Sequence, residues 1–312
     1  MKKTILGCSL ILMSSVATAS VQTQTFDQDW LFDNSNPSGP NNSTRIQGGD
    51  SNGYGNYIEW TGEDGITVKV SAWSETAGSR SICDTDPAAP ECITGPASSS
   101  GTTEYDPYIR NAALRYYSES LGIENRDNEG GAPQHSIDNI PNYSGAGYND
   151  YDAVLVQFST AVTLDEVKIG WATNNGLNNN TRKADISVIA YNGASNDVSS
   201  FFSASSTWGS FLNNGWSRIG DYQDAKATLS LRGNSQTVVN LDSFKSNFWL
   251  ISAYNPVFGG ALTNANDGFK LAGLATSFSV TTTSSVSEPG TLAIASLGLF
   301  GLFINRRRKI SK

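Results

Sequence analysis

A short acidic stretch in the middle of the chain has the residue types of a calcium-binding loop. Asn125, Asp127 and Glu129 alternate along the chain, and Gly130 follows them. Loops that bind Ca²⁺ place oxygen ligands at alternate positions and a glycine at a sharp turn. The twelfth position here is Ser136 rather than a bidentate glutamate. The pattern therefore excludes a complete EF-hand.

Two interpretations of this stretch remain open. Asp138, or Asp150 and Asp152, could complete a different calcium cage after folding, because Ca²⁺ accepts six to eight oxygen ligands in flexible geometry. The other interpretation is a solvated acidic loop without metal. We expect no required cofactor, with Ca²⁺ as the one possible ion.

The histidine content limits catalysis. His135 is the only histidine of the chain, so zinc sites built from several histidines are excluded. The sequence also lacks the phosphate-binding Gly-x-x-x-x-Gly-Lys pattern and the dinucleotide fingerprint. A pair of carboxylates suffices for glycoside hydrolysis, and 29 acidic residues leave that chemistry open.

Two cysteines remain once the N-terminal segment described below is removed. Cys83 and Cys92 are separated by the sequence DTDPAAPE, whose two prolines can turn the chain back on itself. In the oxidising compartments outside the cytoplasm such a pair forms a disulfide. The chain-entropy model gives so short a loop about 2–3 kcal/mol, so the predicted bridge would fasten one loop rather than the whole domain.

Carbohydrate contact is a further possibility, because exposed aromatic rings stack on sugars. The body contains several candidate tryptophans, and most tryptophans of a β protein belong to the core. The five candidates are Trp73, Trp171, Trp208, Trp216 and Trp249.

The N-terminus has the three regions of a secretory signal peptide. Two lysines at positions 2 and 3 precede an apolar run at residues 5–13, and small residues Ala17 and Ala19 stand just before Ser20. This order predicts export through the Sec translocon and removal of residues 1–19 by signal peptidase. The apolar run is too short for a membrane-spanning helix.

The C-terminus has a similar three-part order. Ser287, Glu288 and Pro289 precede an apolar segment at residues 291–304, which as a helix would span only about 21 Å. A typical hydrocarbon core is about 30 Å thick. A basic cluster that stays in the cytoplasm follows the segment: Arg306, Arg307, Arg308 and Lys309.

This C-terminal order resembles the PEP-CTERM sorting signal of Gram-negative bacteria, over about residues 286–309. The resemblance implies that the tail holds a precursor at the inner membrane until the protease exosortase removes it. The mature protein would then reach the cell surface or the extracellular matrix. Ser287 stands where the family has its first proline, which leaves the cleavage position open. An ordinary single-span anchor is the alternative.

Strand-length apolar or alternating segments fill the body, and turn-forming Gly and Asn residues separate them. A phase shift near Asp165 predicts a β-bulge or a turn, residues 105–122 are loosely helical in spacing, and residues 208–212 could form a short turn. Asn-Gly pairs at 175, 192 and 214 and Gly-Asn at 233 favour tight hairpins. The predicted strands are 66–73, 153–158, 162–171, 186–191, 236–241, 248–254 and 269–280.

Together these patterns predict an all-β fold, a β-sandwich of jelly-roll type, since strands without long helices must bury their faces against a second sheet. The predicted parts are a signal peptide at 1–19, the body at 20–280, a polar linker at 281–290 and a short transmembrane helix with a basic tail at 291–312.

The charge of the body restricts its partners. Without the seven basic residues of the two ends, 14 Lys and Arg face 29 Asp and Glu, an excess of 15 negative charges. Nucleic acid is therefore excluded as a partner. We expect a non-catalytic surface or matrix protein associated with exopolysaccharide. The alternatives are a secreted glycan-active enzyme and a calcium-dependent carbohydrate-binding module.

Overall fold

A computed structural model describes the greater part of the body and a few residues of the tail. Among these residues strands dominate, and the helical ones are short 3-10 turns and a few positions near the C-terminus. The described residues are 20–32, 43–45, 56–62, 65–75, 82–83, 92–93, 108–117, 120–124, 136–139, 151–174, 181–203, 205–262, 266–284, 297–299, 302 and 306.

The strands of the first half are mostly short. They are β1 (Ser20–Leu31), β2 (Ser43–Arg45), β3 (Tyr57–Thr61), β4 (Thr67–Glu75), β5 (Ile82–Cys83), β6 (Cys92–Ile93), β7 (Ile109–Asn111), β8 (Ala113–Tyr117), β9 (Ser120–Glu124) and β10 (Ile137–Asp138). The second half has longer ones. They are β11 (Asp152–Thr173), β12 (Ala184–Tyr191), β13 (Trp216–Ala225), β14 (Thr228–Ser230), β15 (Ser246–Ala253) and β16 (Gly268–Ser284).

Fourteen of these strands join in one hydrogen-bonded sheet, and β5 and β6 form a separate pair. The main path runs β13-β12-β15-β11-β16-β1-β2, with β4 also paired to β11. Of the pairings with a described register, β1 with β2 is parallel and the others are antiparallel. The all-β prediction is therefore confirmed as a large, mainly antiparallel sheet.

Strand β11 is the centre of this sheet. Its first half pairs with β4 and β15, and its second half pairs with β14 and β16. Its ladder with β16 skips one residue between Leu164 and Glu166, so the predicted bulge at Asp165 is confirmed. The predicted strands 153–158 and 162–171 are both parts of this one strand.

The two ends of β11 lie at the same edge of the structure. Its first residues pair with the end of β15 and its last residues with the start of β16. The backbone of Asp185 bonds both to Tyr254, just after β15, and to Asp267, just before β16. A straight strand of this length would separate its ends by about 70 Å. The strand therefore bends back, and its register shift between Gln157 and Val162 marks the bend.

Apolar side chains are buried on both faces of the β11–β15–β12 layer. Alternate residues such as Val154, Val188 and Ile251 belong to the larger core, together with residues of β16. Their neighbours, such as Leu155 and Ile189, belong to a second cluster on the other face. The loop 192–215 and the turn Pro256–Phe258 cover that face with aromatic rings.

Residues 105–122 correct the sequence-based prediction of helical spacing. Their described part forms β7, β8 and the start of β9. β8 and β9 pair as a tight hairpin, with Tyr117 opposite Ser120. Leu114 and Leu121 are buried in the core through this pairing. Tertiary pairing has overridden a weak local periodicity, because the pairing of β8 with β9 buries Leu114, Leu121 and Ile123 in the core.

Residues 236–241 are a second correction, since they form turns rather than a strand. One isolated bridge joins Gly220 and Thr237, and Val238 is 57% exposed. Asn234 accepts a hydrogen bond from the Gln236 amide, which competes with a ladder bond. Gly233 does adopt the positive φ that its turn requires, +72°.

The Asn192-Gly193 pair does not close a tight hairpin. Tyr191 is opposite Trp216, so the whole loop 192–215 lies between two paired strands. The loop contains the 3-10 turns Ser199–Phe202 and Trp208–Ser210, the second of which fits the predicted turn at 208–212. Gly215 closes the loop with a φ of +91°.

The chain divides into two compact units. Phe26–Phe278 is the larger unit and contains the cores described above. The other unit consists of Met1–Thr25 and Ser279–Lys312. Its described residues are the outer ends of β1 and β16 and the helical positions 297–299, 302 and 306.

Candidate functional site

A group of three acidic residues lies where several strands end at one edge of the larger unit; two are buried, and the side chain of Asp224 is 45% exposed. Asp185 is the second residue of β12, Asp224 is near the end of β13, and Asp267 directly precedes β16. Asp185 is 1% exposed and Asp267 is fully buried. We call Asp185, Asp224 and Asp267 the carboxylate edge.

Backbone amides fix two of these carboxylates. The Asp185 amide donates to Asp267 Oδ1 at 2.8 Å, and the Asp224 amide donates to Asp185 Oδ1 at 2.7 Å. Asn139 holds the approach to β16, because its Oδ1 accepts the amides of Asn266 and Asp267 at 3.0 and 2.7 Å. Each carboxyl group is thus anchored through one oxygen.

Burial and mutual repulsion disfavour the charged forms of these groups. Burial raises the pKa of Asp267 to about 7; hydrogen bonds from the Asp185 amide and the Asn139 side chain lower it, and the negative charges of Asp185 and Asp224 raise it. The pKa of Asp185 is raised by burial, lowered by the hydrogen bond from the Asp224 amide and raised by the Asp224 charge. Negative charge on Asp185 and Asp267 is therefore energetically unfavourable in the folded protein.

An ion pair lies beside the carboxylate edge. Arg218 Nε is 2.7 Å from Asp221 Oδ2, although the contact is not aligned as a hydrogen bond. Ser187 donates to the other Asp221 oxygen at 2.5 Å and accepts the Asn255 amide at 3.0 Å. Burial raises the pKa of Asp221, and Ser187 and Arg218 oppose that shift. Asp221 thus has its own counter-charge.

Several buried polar atoms near this edge have no hydrogen-bond partner among the described residues. Asp185 and Asp267 each leave Oδ2 unpaired, and Ser252 leaves its Oγ unpaired. Ser252 is directly opposite Ser187 in the β12–β15 ladder, so it lies on the same face as Asp185. Buried polar groups without partners are rare in folded proteins and call for a water or an ion.

The predicted calcium residues are only partly described. Asn125, Asp127 and Glu129 lie outside the described residues, as does His135. Asp138 is buried in β10 opposite Gly268, and its Oδ2 accepts a hydrogen bond of 2.6 Å from Ser136. In the described part of the chain, no three acidic, histidine or cysteine side chains form a preassembled metal cage.

Most of the candidate sugar-stacking tryptophans belong to the cores. Trp208, Trp216 and Trp249 are buried. Trp73 is partly buried and packs on Phe202, with ring centroids 4.4 Å apart. Trp171 is partly exposed.

The carboxylate edge was not predicted from the sequence. In ADISVIAY, the segment of β12, Asp185 and Ser187 alternate with apolar residues, which predicts a solvent-facing side for them. Loop 192–215 and the turn after β15 cover that face instead. The available signal was the pair of acidic residues placed just at the starts of two apolar strands, Asp185 and Asp267.

The backbone supports the predicted cysteine pairing. Cys83 is directly opposite Cys92 in the antiparallel pair β5–β6. Directly opposed residues have Cα atoms about 4.5–5.5 Å apart, within the range that a disulfide requires. Their side chains lie outside the description, so the bridge stays a prediction.

We expect unreduced exported protein to contain no free thiol at these positions. Cys83→Ser with Cys92→Ser should lower the free energy of unfolding by about 2–3 kcal/mol. Thiol labelling before and after reduction, with urea unfolding, measures both effects. A single Cys8→Ser change is the control, because residues 1–19 are expected to be removed. Full labelling of unreduced wild-type protein would refute the bridge.

The predicted sorting segment is described at a few positions. Leu297, Leu299 and Leu302 are helical and exposed, and Arg306 is helical. Within the described residues, no helix reaches the length and apolarity of a membrane span. The signal-peptide positions Ala17 and Ala19 and the motif Ser287, Glu288 and Pro289 are not described, and neither are Arg307, Arg308 and Lys309; Ser20 is the first residue of β1.

A β-sheet body followed by a short apolar segment and a basic end is the plan of an exported protein that is sorted through its C-terminus. Residues 285–309 match the family model of the PEP-CTERM protein-sorting motif. The chain therefore carries that motif, as its sequence predicted, and is targeted by exosortase to the cell surface from a membrane-anchored precursor. No curated protein and no solved structure matches the chain.

Proposed function

We propose that the chain is a non-catalytic protein of the cell surface or extracellular matrix of a Gram-negative bacterium, released from the inner membrane by exosortase. The observation that carries this proposal is the sorting motif at residues 285–309, which begins directly after β16 ends at Ser284. A cleavage site there leaves the body intact, because the last strand is already complete.

The proposed route begins at the Sec translocon. Signal peptidase cleaves after Ala19, and residues 291–312 serve as a temporary transmembrane helix with the basic cluster in the cytoplasm. The described tail residues are helical and apolar as far as Leu302, which supports this role. Exosortase then acts near Glu288 and Pro289.

We also propose that the sheet folds over as a β-sandwich of jelly-roll type. The bend of β11 supports this proposal, because its two halves lie in different ladders. Val156 from the first half and Leu164 and Val167 from the second half share one core. Two facing layers bury such residues between them, as a sandwich requires.

The proposed partner of the body is exopolysaccharide. Tyr57 is 49% exposed on β3, and Lys69 Nζ lies 3.8 Å from the centroid of its ring. Tyr108 is 40% exposed, with Arg110 beside its ring. An exposed ring next to a Lys or Arg offers an apolar face for stacking and N–H donors for the hydroxyl groups of a sugar. Asp185 and Asp267 are buried and have no such access to a polymer, so we do not assign glycan hydrolysis to them.

The sorting part of the proposal is tested in wild-type cells with two epitopes. One epitope is inserted at the exposed turn near Gly233 and the other follows Lys312. We expect surface protein to carry the internal epitope alone, and its intact mass to lack residues 1–19. Surface protein that retains both epitopes would defeat the exosortase route.

The binding part is tested on a glycan array together with hydrolysis assays on the same glycans. We expect binding without turnover, and at least a tenfold weaker signal for Tyr57→Ala. Lys226→Ala on the loop between β13 and β14 is the matched surface control. Turnover would favour the alternative of a secreted glycan-active enzyme.

A further inference from the structure

We propose that the carboxylate edge binds one Ca²⁺ ion between the free Oδ2 atoms of Asp185 and Asp267. The site differs from the predicted loop at Asn125, Asp127 and Glu129. It does not depend on the sorting function proposed above.

The first argument is the distance between the two carboxyl groups. The Asp185 amide nitrogen is 2.8 Å from Asp267 Oδ1. Three covalent bonds separate that nitrogen from the Asp185 carboxyl carbon, about 4 Å at most. The two carboxyl groups therefore lie within about 7 Å of each other, close enough for small side-chain rotations to bring both Oδ2 atoms to one ion.

The second argument is charge. Two buried carboxylates at this distance repel each other and are poorly solvated. The basic groups beside them already have partners: Lys183 Nζ is 3.3 Å from Asp224, and Arg218 is paired with Asp221. A divalent cation would neutralise Asp185 and Asp267 together.

The third argument is the unpaired hydroxyl group of Ser252. This residue is 1% exposed, and its Oγ has no hydrogen-bond partner in the described structure. It lies on the same face as Asp185, on the adjacent strand β15. A buried hydroxyl group without a partner on the face that carries Asp185 is an independent sign of a missing ligand.

The donor atoms decide the kind of ion. The two closest candidate donors are carboxylate oxygens, and hard oxygen ligands suit Ca²⁺. Mg²⁺ requires near-octahedral geometry and retains its waters, which a pair of buried, anchored carboxylates does not favour. Extracellular modules bind Ca²⁺ with dissociation constants of about 10⁻⁴–10⁻³ M, which suits a protein delivered to the surface.

The test uses the full chain, purified in mild detergent and stripped with EDTA at pH 7.5. We expect 10 mM CaCl₂ to raise the melting temperature by about 5 °C and calorimetry to give one ion per chain. The same concentration of MgCl₂ should give less than half that shift.

Asp185→Asn and Asp267→Asn should each abolish the calcium shift. In EDTA both variants should melt at or above the wild-type temperature, because each removes a buried, repelled charge; this result shows that they fold. Asp242→Asn, in an exposed ion pair with Arg232, is the matched control and should keep the full shift.

Two results would overturn the assignment. One is wild-type protein with no calcium shift, which would leave the two carboxylates sharing a proton. The other is a calcium shift that persists in both variants, which would place the ion elsewhere, as in the loop with Asn125 and Asp127.

Discussion

Replacing Glu288 and Pro289 with Ala should trap a full-length precursor in the inner membrane and reduce surface protein at least tenfold. Both residues lie within the matched sorting motif, while the apolar segment that holds the chain in the membrane is unchanged. Cell fractionation with the two epitopes measures the precursor, which should carry both of them.

Deleting residues 291–312 should fail in a different way. The deletion removes the apolar segment and the basic cluster that fixes its orientation, so the body should be released into the periplasm without processing. Thr282→Ala with Thr283→Ala, just upstream of the motif, is the matched control and should be processed normally. Normal surface delivery of the Glu288 and Pro289 variant would show that cleavage does not depend on this motif.

The second large effect concerns pH. In EDTA the free energy of unfolding should fall by about 4 kcal/mol between pH 4 and pH 8, because the pKa of Asp267 rises from 3.8 to about 7 on folding. The folded state binds the proton more tightly than the unfolded state in that window. Stability is therefore higher at acidic pH and is lost as the pH rises through 7.

The acidic groups around Asp267 strengthen this pH dependence of the free energy of unfolding or leave it unchanged. Asp185 also has a raised pKa, and Asp224 adds negative charge beside Lys183. Asp197 contributes with the opposite sign, because hydrogen bonds from Ser199 lower its pKa. The difference in the free energy of unfolding between wild type and Asp267→Asn isolates the Asp267 contribution, since Asp197 is present in both proteins.

Urea unfolding at pH steps from 4 to 8 measures this difference. Asp267→Asn should remove most of the decline, and Asp242→Asn should leave it unchanged. Calcium at 10 mM should reduce the decline in wild type by about 1–3 kcal/mol, because the ion binds the deprotonated pair. A wild-type stability profile that is flat in EDTA would show that folding does not raise the pKa of Asp267, contrary to what its burial implies.

The sequence predicted those features whose signal is local. The phase shift around Asp165 identified a bulge because alternation of buried side chains is a direct property of a strand. Gly233 was identified as a turn glycine because few other residues adopt positive φ. The sorting motif was identified from the order of its three short parts.

The features that were missed depend on what covers each face. Residues 105–122 carry a loose helical spacing, and only the pairing of β8 with β9 makes them strands. Asp185 resembles a solvent-facing strand residue until Tyr254 and Asp267 are placed beside it. The proximity of Asp185 and Asp267, 82 residues apart, is set by the ladder of β11, which local patterns do not encode.

The pairing of the first strand with the last determines when the sheet can be completed during export of the chain. Trp30 is buried in β1, and its Nε1 donates to Thr276 Oγ1 of β16 at 3.0 Å, across 246 residues. A chain that crosses a membrane from its N-terminus delivers Trp30 early and Thr276 almost last. Such long-range pairing is slow and leaves strand edges open to other chains in the meantime. The sheet can close only when the residues just before the sorting motif have emerged, so the final folding step takes place while the C-terminal tail of the chain is still at the membrane.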